Sequence, residues 1–374
     1  MITDETSGVW ETWDVFAKAN KGVYPYVGGP GVLFAWGDNQ SGNIGQNNTT
    51  QFSSPVQIPG TSWSAISGSY THSLATKTDN TLWSWGSGGN GRLGQNNTET
   101  TSSPIQIPGT TWSSISGGQS HSLATKTDNT LWGWGFNSAG QLGQNDRISR
   151  SSPVQIPGTT WSSISGGNQH SLATKTDGTL WSWGYNGVEG RLGLNDTINR
   201  SSPVQIPGTT WNKISGQYRH TLAKKTDNTL WSWGYNASGQ LGQSDTADRL
   251  SPVQIPGTTW SVISAGKRYT LATKTDNTLW SWGYNDRGQL GQNSTNNISS
   301  PIQIPGTSWS SIGSGNQHTL ATKTDNTLWA WGSNVQGRLG QNTTTSVSSP
   351  VQIPGTSWSA INAGAQHTLA TQLL

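Results

Sequence analysis

The chain has 374 residues, only 30% of them hydrophobic, well under the roughly 45–50% apolar content usual for globular proteins. Its 48 glycines would suit a disordered chain, but 22 tryptophans, each able to bury on the order of 150–250 Å², supply a core from a few large rings. A formal charge of +3 is too small to indicate specific nucleic-acid binding, the absence of cysteine excludes disulfides and thiolate metal sites, and nothing approaches the roughly 18 consecutive apolar residues of a membrane span.

Residues 1–31 come first and stand outside the repeat that follows. No basic stretch or apolar run follows Met1, so no signal peptide is expected, and the chain is expected in the cytoplasm unless a particle carries it. Trp13, Phe16, Ala17 and Asn20 fall at i, i+3, i+4 and i+7, which predicts a short helix over roughly residues 11–20, with Gly22 near its end. A helix of that length needs a surface to dock on, either the body of the protein or a partner. Trp10, Trp13, Phe16 and Tyr24 are the attachment residues on the second reading.

From residue 32 onward one unit recurs seven times. Trp-Gly appears at Trp36, Trp85, Trp134, Trp183, Trp233, Trp282 and Trp331, at intervals of 49 or 50 residues. The motif Pro-(Val/Ile)-Gln-Ile-Pro-Gly starts in step at Pro55, Pro104, Pro153, Pro203, Pro252, Pro301 and Pro350, and a further Trp follows each copy, from Trp63 to Trp358. Each unit reads as four short strands. In the third they are Val154–Ile156, Trp161–Ile164, His170–Lys175 and Thr179–Trp183, the last two joined by a hairpin at Asp177-Gly178, a pair that tolerates the positive φ of a tight turn. Four strands radially repeated at this period predict an all-β, seven-bladed propeller over residues 32–374. Val32–Gly37 is the counterpart of Thr-Leu-Trp-Ser-Trp-Gly, and the chain ends where that strand would come next, so the N-terminal strand is expected to complete the last blade and close the ring.

Trp134-Gly135, Gly140-Gln141-Leu142-Gly143 and Gly167-Asn168-Gln169-His170 resemble the pattern of the regulator of chromosome condensation repeat family. That resemblance spans residues 32–374 and implies the seven-bladed fold. It does not choose among functions, because the family holds an exchange factor, an enzyme inhibitor and many adhesive or scaffolding modules. Ser7-Gly8-Val9-Trp10, followed by Gly22-Val23-Tyr24-Pro25, resembles a short Gly-Val-Trp … Gly-x-Trp-Pro segment of marine bacteriophage structural proteins, with Tyr24 in place of the second Trp. It implies that residues 1–31 attach the propeller to other virion proteins.

No constellation of side chains carries chemistry. His72, His121, His170, His220, His318 and His367 occupy one repeat position, with Tyr269 in the fifth copy. Equivalent atoms of adjacent blades are about 10 Å apart, too far to share a zinc ion, so these histidines are expected to cap local backbone. The repeated aspartates are hairpin-turn residues, the glycine-rich loops lack the Lys-Ser/Thr of a phosphate loop, and no acid–base pair or cofactor motif stands out.

Against this framework two segments vary. One is the pair before the histidine position, including Tyr70, Gln119, Gln169, Tyr218-Arg219, Lys267-Arg268 and Gln317; with Tyr269 these are the candidate binding residues. The other is the loop after Trp-Gly, which opens with Phe136, Tyr185, Tyr235 and Tyr284 in the middle copies. Eight of the ten arginines fall between Arg147 and Arg287, suggesting a basic sector for an acidic protein or anionic host-surface glycan. The expected function is therefore non-catalytic: a virion fibre, tail or capsid-surface adhesin, or alternatively a bacterial propeller that binds or inhibits a protein. An enzyme or GTPase exchange factor ranks third, and self-association is open.

Overall fold

The computed structural model describes residues 31–373. The helix expected over 11–20 and the attachment residues Trp10, Trp13, Phe16 and Tyr24 lie outside them. Within them the chain forms 28 strands, β1–β28 in chain order, and one short 3₁₀ turn, Gly89–Gly91. The strands make seven four-stranded antiparallel sheets, the blades of a propeller. None of the described helices is long and apolar enough to cross a membrane.

Blade III represents the others. Its strands run in order β11 (Trp161–Gly166), β12 (His170–Lys175), β13 (Leu180–Gly184) and β14 (Arg200–Ile206). The first strand of each blade packs against the first strand of the next, which places it innermost. The Pro-Val-Gln-Ile strand thus forms the outer edge of the blade begun by the preceding copy; Val154–Ile156, read from sequence with Trp161–Ile164, belongs to blade II. Pro sits there because an edge strand can spare its N–H.

Trp-Gly also acquires a reason. Gly184 has φ +103° and sits at a bulge between β13 and β14, where a Cβ would lie 2.5 Å from the Gln169 carbonyl oxygen. Only glycine takes that conformation without strain. Trp183 is fully buried ahead of it, with its ring centroid 6.0 Å from that of Trp161, which lies 6.2 Å from Trp181. Lys175 Nζ covers the outer pair at 4.9 and 4.5 Å. Five other blades repeat this Lys–Trp–Trp cluster; blade VII substitutes Phe34 and Gln372.

Closure differs in one respect from the sequence expectation. β1 (Val32–Gly37) pairs with β28 (His367–Gln372) as expected, but β2 (Phe52–Ile58) joins the same sheet, in the order β2-β1-β28-β27 with β27 spanning Trp358–Ala363. Each chain end therefore supplies two strands to blade VII. All six residues of β1 are buried.

The histidines form an inter-blade belt rather than local caps. His72 Nε2 lies 2.9 Å from Ser122 Oγ, His121 Nε2 lies 3.0 Å from Ser171 Oγ, and the sequence closes with His367 Nε2 at 3.0 Å from Ser73 Oγ. Each hydroxyl in turn donates to a loop carbonyl, as Ser122 does to Arg92, and that carbonyl also accepts the indole N–H of Trp134. A hydroxyl whose proton is committed can only accept from the ring, so Nε2 carries the proton and Nδ1 is left without a partner. Burial holds His121 and His220 down to about 3 and His367 to about 4, and depresses the other three as well.

Candidate functional site

The two variable segments meet because of strand register. His170 pairs with Gly184, and Gly184 with Arg200, so the turn before the histidine and the loop after Trp-Gly leave the same rim of the ring. A backbone bond joins them in each blade: the N–H of Tyr185 donates to the Gln169 carbonyl at 2.8 Å, Tyr235 to Arg219 at 3.0 Å, and Tyr284 to Arg268 at 2.9 Å.

In blades III–V this brings tyrosines and cations into alternation. The Arg191 guanidinium stacks 4.7 Å from Tyr185; Arg219 lies 5.1 Å from Tyr218 and 5.7 Å from Tyr235. Arg268 sits between Tyr235 and Tyr284 at 5.9 and 5.8 Å, and Lys267 Nζ lies 5.2 Å from Tyr218. A guanidinium beside tyrosine rings keeps its full charge and its planar fork of N–H donors, which suits a carboxylate.

Glu189 completes the cluster on one side. Its carboxylate bridges Arg191 at 3.1 Å and Arg219 at 3.0 Å; the Glu189 and Arg191 side chains are only 5% and 4% exposed, whereas Arg219 is 42% exposed. Neither Lys267 nor Arg268 has a carboxylate within 4 Å among the described residues, and Arg268 Nε is buried without a partner.

The sequence-predicted residues divide accordingly. Tyr218, Arg219, Lys267 and Arg268 converge, and Gln317 borders them through a 3.3 Å bond to Asp286. Gln169 adjoins Tyr185 at the edge of the cluster. Tyr70 and Gln119 occupy the equivalent turns of blades I and II, outside the Tyr–Arg alternation. Tyr269 leaves the surface set: it is fully buried, and its hydroxyl donates to the His318 carbonyl, filling one place in the histidine belt.

Sequence reasoning left Tyr185, Glu189, Arg191, Tyr235 and Tyr284 out of the binding set. Their signal was present, since an aromatic residue follows Trp-Gly only in four adjacent copies. The arginine count was a poorer guide. Arg150, Arg200 and Arg249 are engaged by Asp146, Asp196 and Asp245 at 2.6, 2.5 and 2.5 Å, so much of the basic sector is neutralised at the loop bases.

With this geometry in place, the comparisons are decisive about kinship. The RCC1-like domain matches residues 26–264, and the regulator of chromosome condensation (RCC1) repeat matches 276–322 and 325–371. The chain belongs to the RCC1 repeat family. Among solved structures, human WBSCR16 is 20% identical with a TM-score of 0.81, covering 92% of this chain and 99% of its own. Yeast RCC1 (Prp20), solved bound to Kap60, is 20% identical with a TM-score of 0.83, covering 100% of this chain and 94% of its own. Prp20p from Saccharomyces cerevisiae, solved in a study of its binding to Gsp1p and histones, gives 20%, 0.84, 99% and 96%. At that identity the likeness establishes the fold. No curated protein sequence matches the chain significantly.

Proposed function

We propose that this RCC1-like propeller is a non-catalytic protein-binding platform, and that the blade III–V rim receives an acidic surface of its partner. One observation carries the reading: tyrosines and cations alternate from Tyr185 to Tyr284 on one rim. Tyrosine and arginine supply large contact area and charge at low ordering cost, which is why they concentrate at interface hot spots. Protein complexes of the structural neighbour Prp20 agree with this class of function, and nothing specific to its partners is carried over. The test is a double substitution, Tyr235→Ala with Tyr284→Ala, measured against the purified partner once one is in hand. The reading expects at least about tenfold weaker binding. Unchanged affinity, with loss instead on substituting Lys126 and Lys175 at the opposite rim, contradicts it.

A second reading concerns residues 1–31. The Gly-Val-Trp and Gly-Val-Tyr-Pro spacing around Trp10 and Tyr24 supports an attachment segment that displays the propeller on a virion. Removing residues 1–31 is then expected to abolish incorporation into particles while leaving the ring folded; incorporation by the truncated chain rejects it.

A further inference from the structure

The repeat allows one junction to be read as a template for the next. Between blades III and IV, Glu189 is the resident anion, held by Arg191 from its own loop and by Arg219 from the next blade's turn. One copy further on, Ser238 takes the place of Glu189, Gln240 that of Arg191, and Arg268 that of Arg219. The flanking aromatic rings are kept as Tyr235 and Tyr284. The acceptor is gone, but donors remain.

Two of those donors are unsatisfied. Arg268 Nε is buried with no hydrogen-bond partner, and the side-chain amide nitrogen of the fully buried Gln240 has none either. The Arg268 carbonyl oxygen and Gln240 Cβ flank Gly283, lying 2.6 and 3.1 Å from where its side chain would start, so the two residues meet at one place. Gln141 and Gln289 carry the same unpartnered amide, but in copies whose turns present Gln169 and Gln317 instead of an arginine. Buried donors without acceptors cost free energy, and a cation stacked between two rings without a counterion is poised to gain one.

We infer that the blade IV–V junction is a carboxylate seat: an aspartate or glutamate side chain from an acidic peptide segment of the partner binds Arg268 as Glu189 binds Arg219, with Lys267 adding a second positive charge. This rests on the protein-binding reading and names the chemistry its partner presents. Arg219, though it looks equivalent in sequence, is already satisfied by Glu189.

The probe is a fluorescently labelled hexaglutamate peptide titrated into the full chain and followed by anisotropy. Ser238→Glu, which restores the resident carboxylate, and Arg268→Gln, which removes the fork, are each expected to weaken binding at least about tenfold, whereas Lys126→Gln, which removes one positive charge at the opposite rim, changes it less than about twofold. Circular dichroism of each variant checks that the ring is folded, and the two variants fail independently. Wild-type affinity in Ser238→Glu, an equal loss in Lys126→Gln, or no binding by the wild type at millimolar peptide overturns the seat. So does binding of inorganic phosphate or a single-stranded oligonucleotide where the peptide does not bind. If the peptide follows this pattern while the partner docks on the opposite rim, the seat stands and the protein-binding reading of this rim fails. If Tyr235→Ala with Tyr284→Ala abolishes partner binding but Ser238→Glu leaves peptide affinity intact, the reverse holds.

Discussion

His72 Nε2 lies 2.9 Å from Ser122 Oγ, joining blade I to blade II inside the ring. Neighbouring bonds repeat the arrangement around the ring and end with His367 on Ser73, while Tyr269 occupies the fifth place. All six histidines are fully buried, so the ring is tied together by neutral imidazoles.

That belt makes stability depend on pH. Desolvation lowers every folded-state histidine pKa, with His121 near 3 and His367 near 4, while the unfolded chain binds protons near 6.5. The belt's contribution is therefore complete above about pH 6.5 and is lost as pH falls toward the folded values, by up to about 1.4 kcal/mol per histidine per pH unit. Hydrogen bonds from Thr81 and Thr179 hold the exposed turn aspartates Asp79 and Asp177 below their ordinary value, whereas burial raises Asp38 and Asp248, which oppose the histidines at the acid end of this window. Melting temperatures from pH 8 to pH 4 should be flat at first and then fall steeply below about 6.5; a flat profile down to pH 5 contradicts the belt.

Closure has its own signature. Trp36 is fully buried in blade VII, and its indole N–H donates to the Arg338 carbonyl at 2.9 Å, across the seam between the chain's two ends. Trp36→Ala and Trp183→Ala are each expected to cost about 3–5 kcal/mol, because both rings are fully buried and the seam is packed like any other blade junction. Urea denaturation reads both. A loss under about 1 kcal/mol at Trp36 alone would mean that blade VII contributes little to the ring.

Glu189 tests the buried charge pair. Glu189→Ala strands the Arg191 guanidinium, whose side chain is 4% exposed, and should destabilise the ring by about 3–5 kcal/mol. Adding Arg191→Gln, the residue found in three other copies as Gln141, Gln240 and Gln289, should recover most of that loss. Equal stability of the single and double variants in chemical denaturation counts against a buried ion pair.

The Lys–Trp–Trp clusters are expected to contribute modestly. Lys175→Gln reproduces what blade VII has naturally at Gln372, and removing the ammonium from Trp161 and Trp181 should cost about 0.5–2 kcal/mol. Tryptophan fluorescence during unfolding follows it, and a loss above about 4 kcal/mol would assign Lys175 a larger role than stacking.

The fold was legible because three markers share one period, and the seam because Val32–Gly37 matches the strand absent after His367–Gln372. Which sheet receives the Pro-Val-Gln-Ile strand was not legible: a periodic sequence has no mark showing where one blade ends, and packing makes that choice. Tyr269 shows a second limit. It neighbours Arg268 in sequence, but the two-residue alternation of a strand turns it inward while Arg268 stays at the rim. Charge counting failed for a third reason, since Arg150, Arg200 and Arg249 meet aspartates four residues earlier in their own loops. Glu189 was hidden because its partner Arg219 lies 30 residues away and becomes a neighbour only when blades III and IV pack.

Docking of partners on the blade III–V rim can be read by site-specific photo-cross-linking. A photoreactive amino acid is placed at Tyr235 in one protein and at Trp132, whose Lys126-capped ring lies toward the opposite rim, in another. The partner is expected to be captured from position 235 and not from 132, with free hexaglutamate competing with capture. Capture from 132 alone, or capture from 235 that excess peptide leaves unchanged, would contradict this expectation.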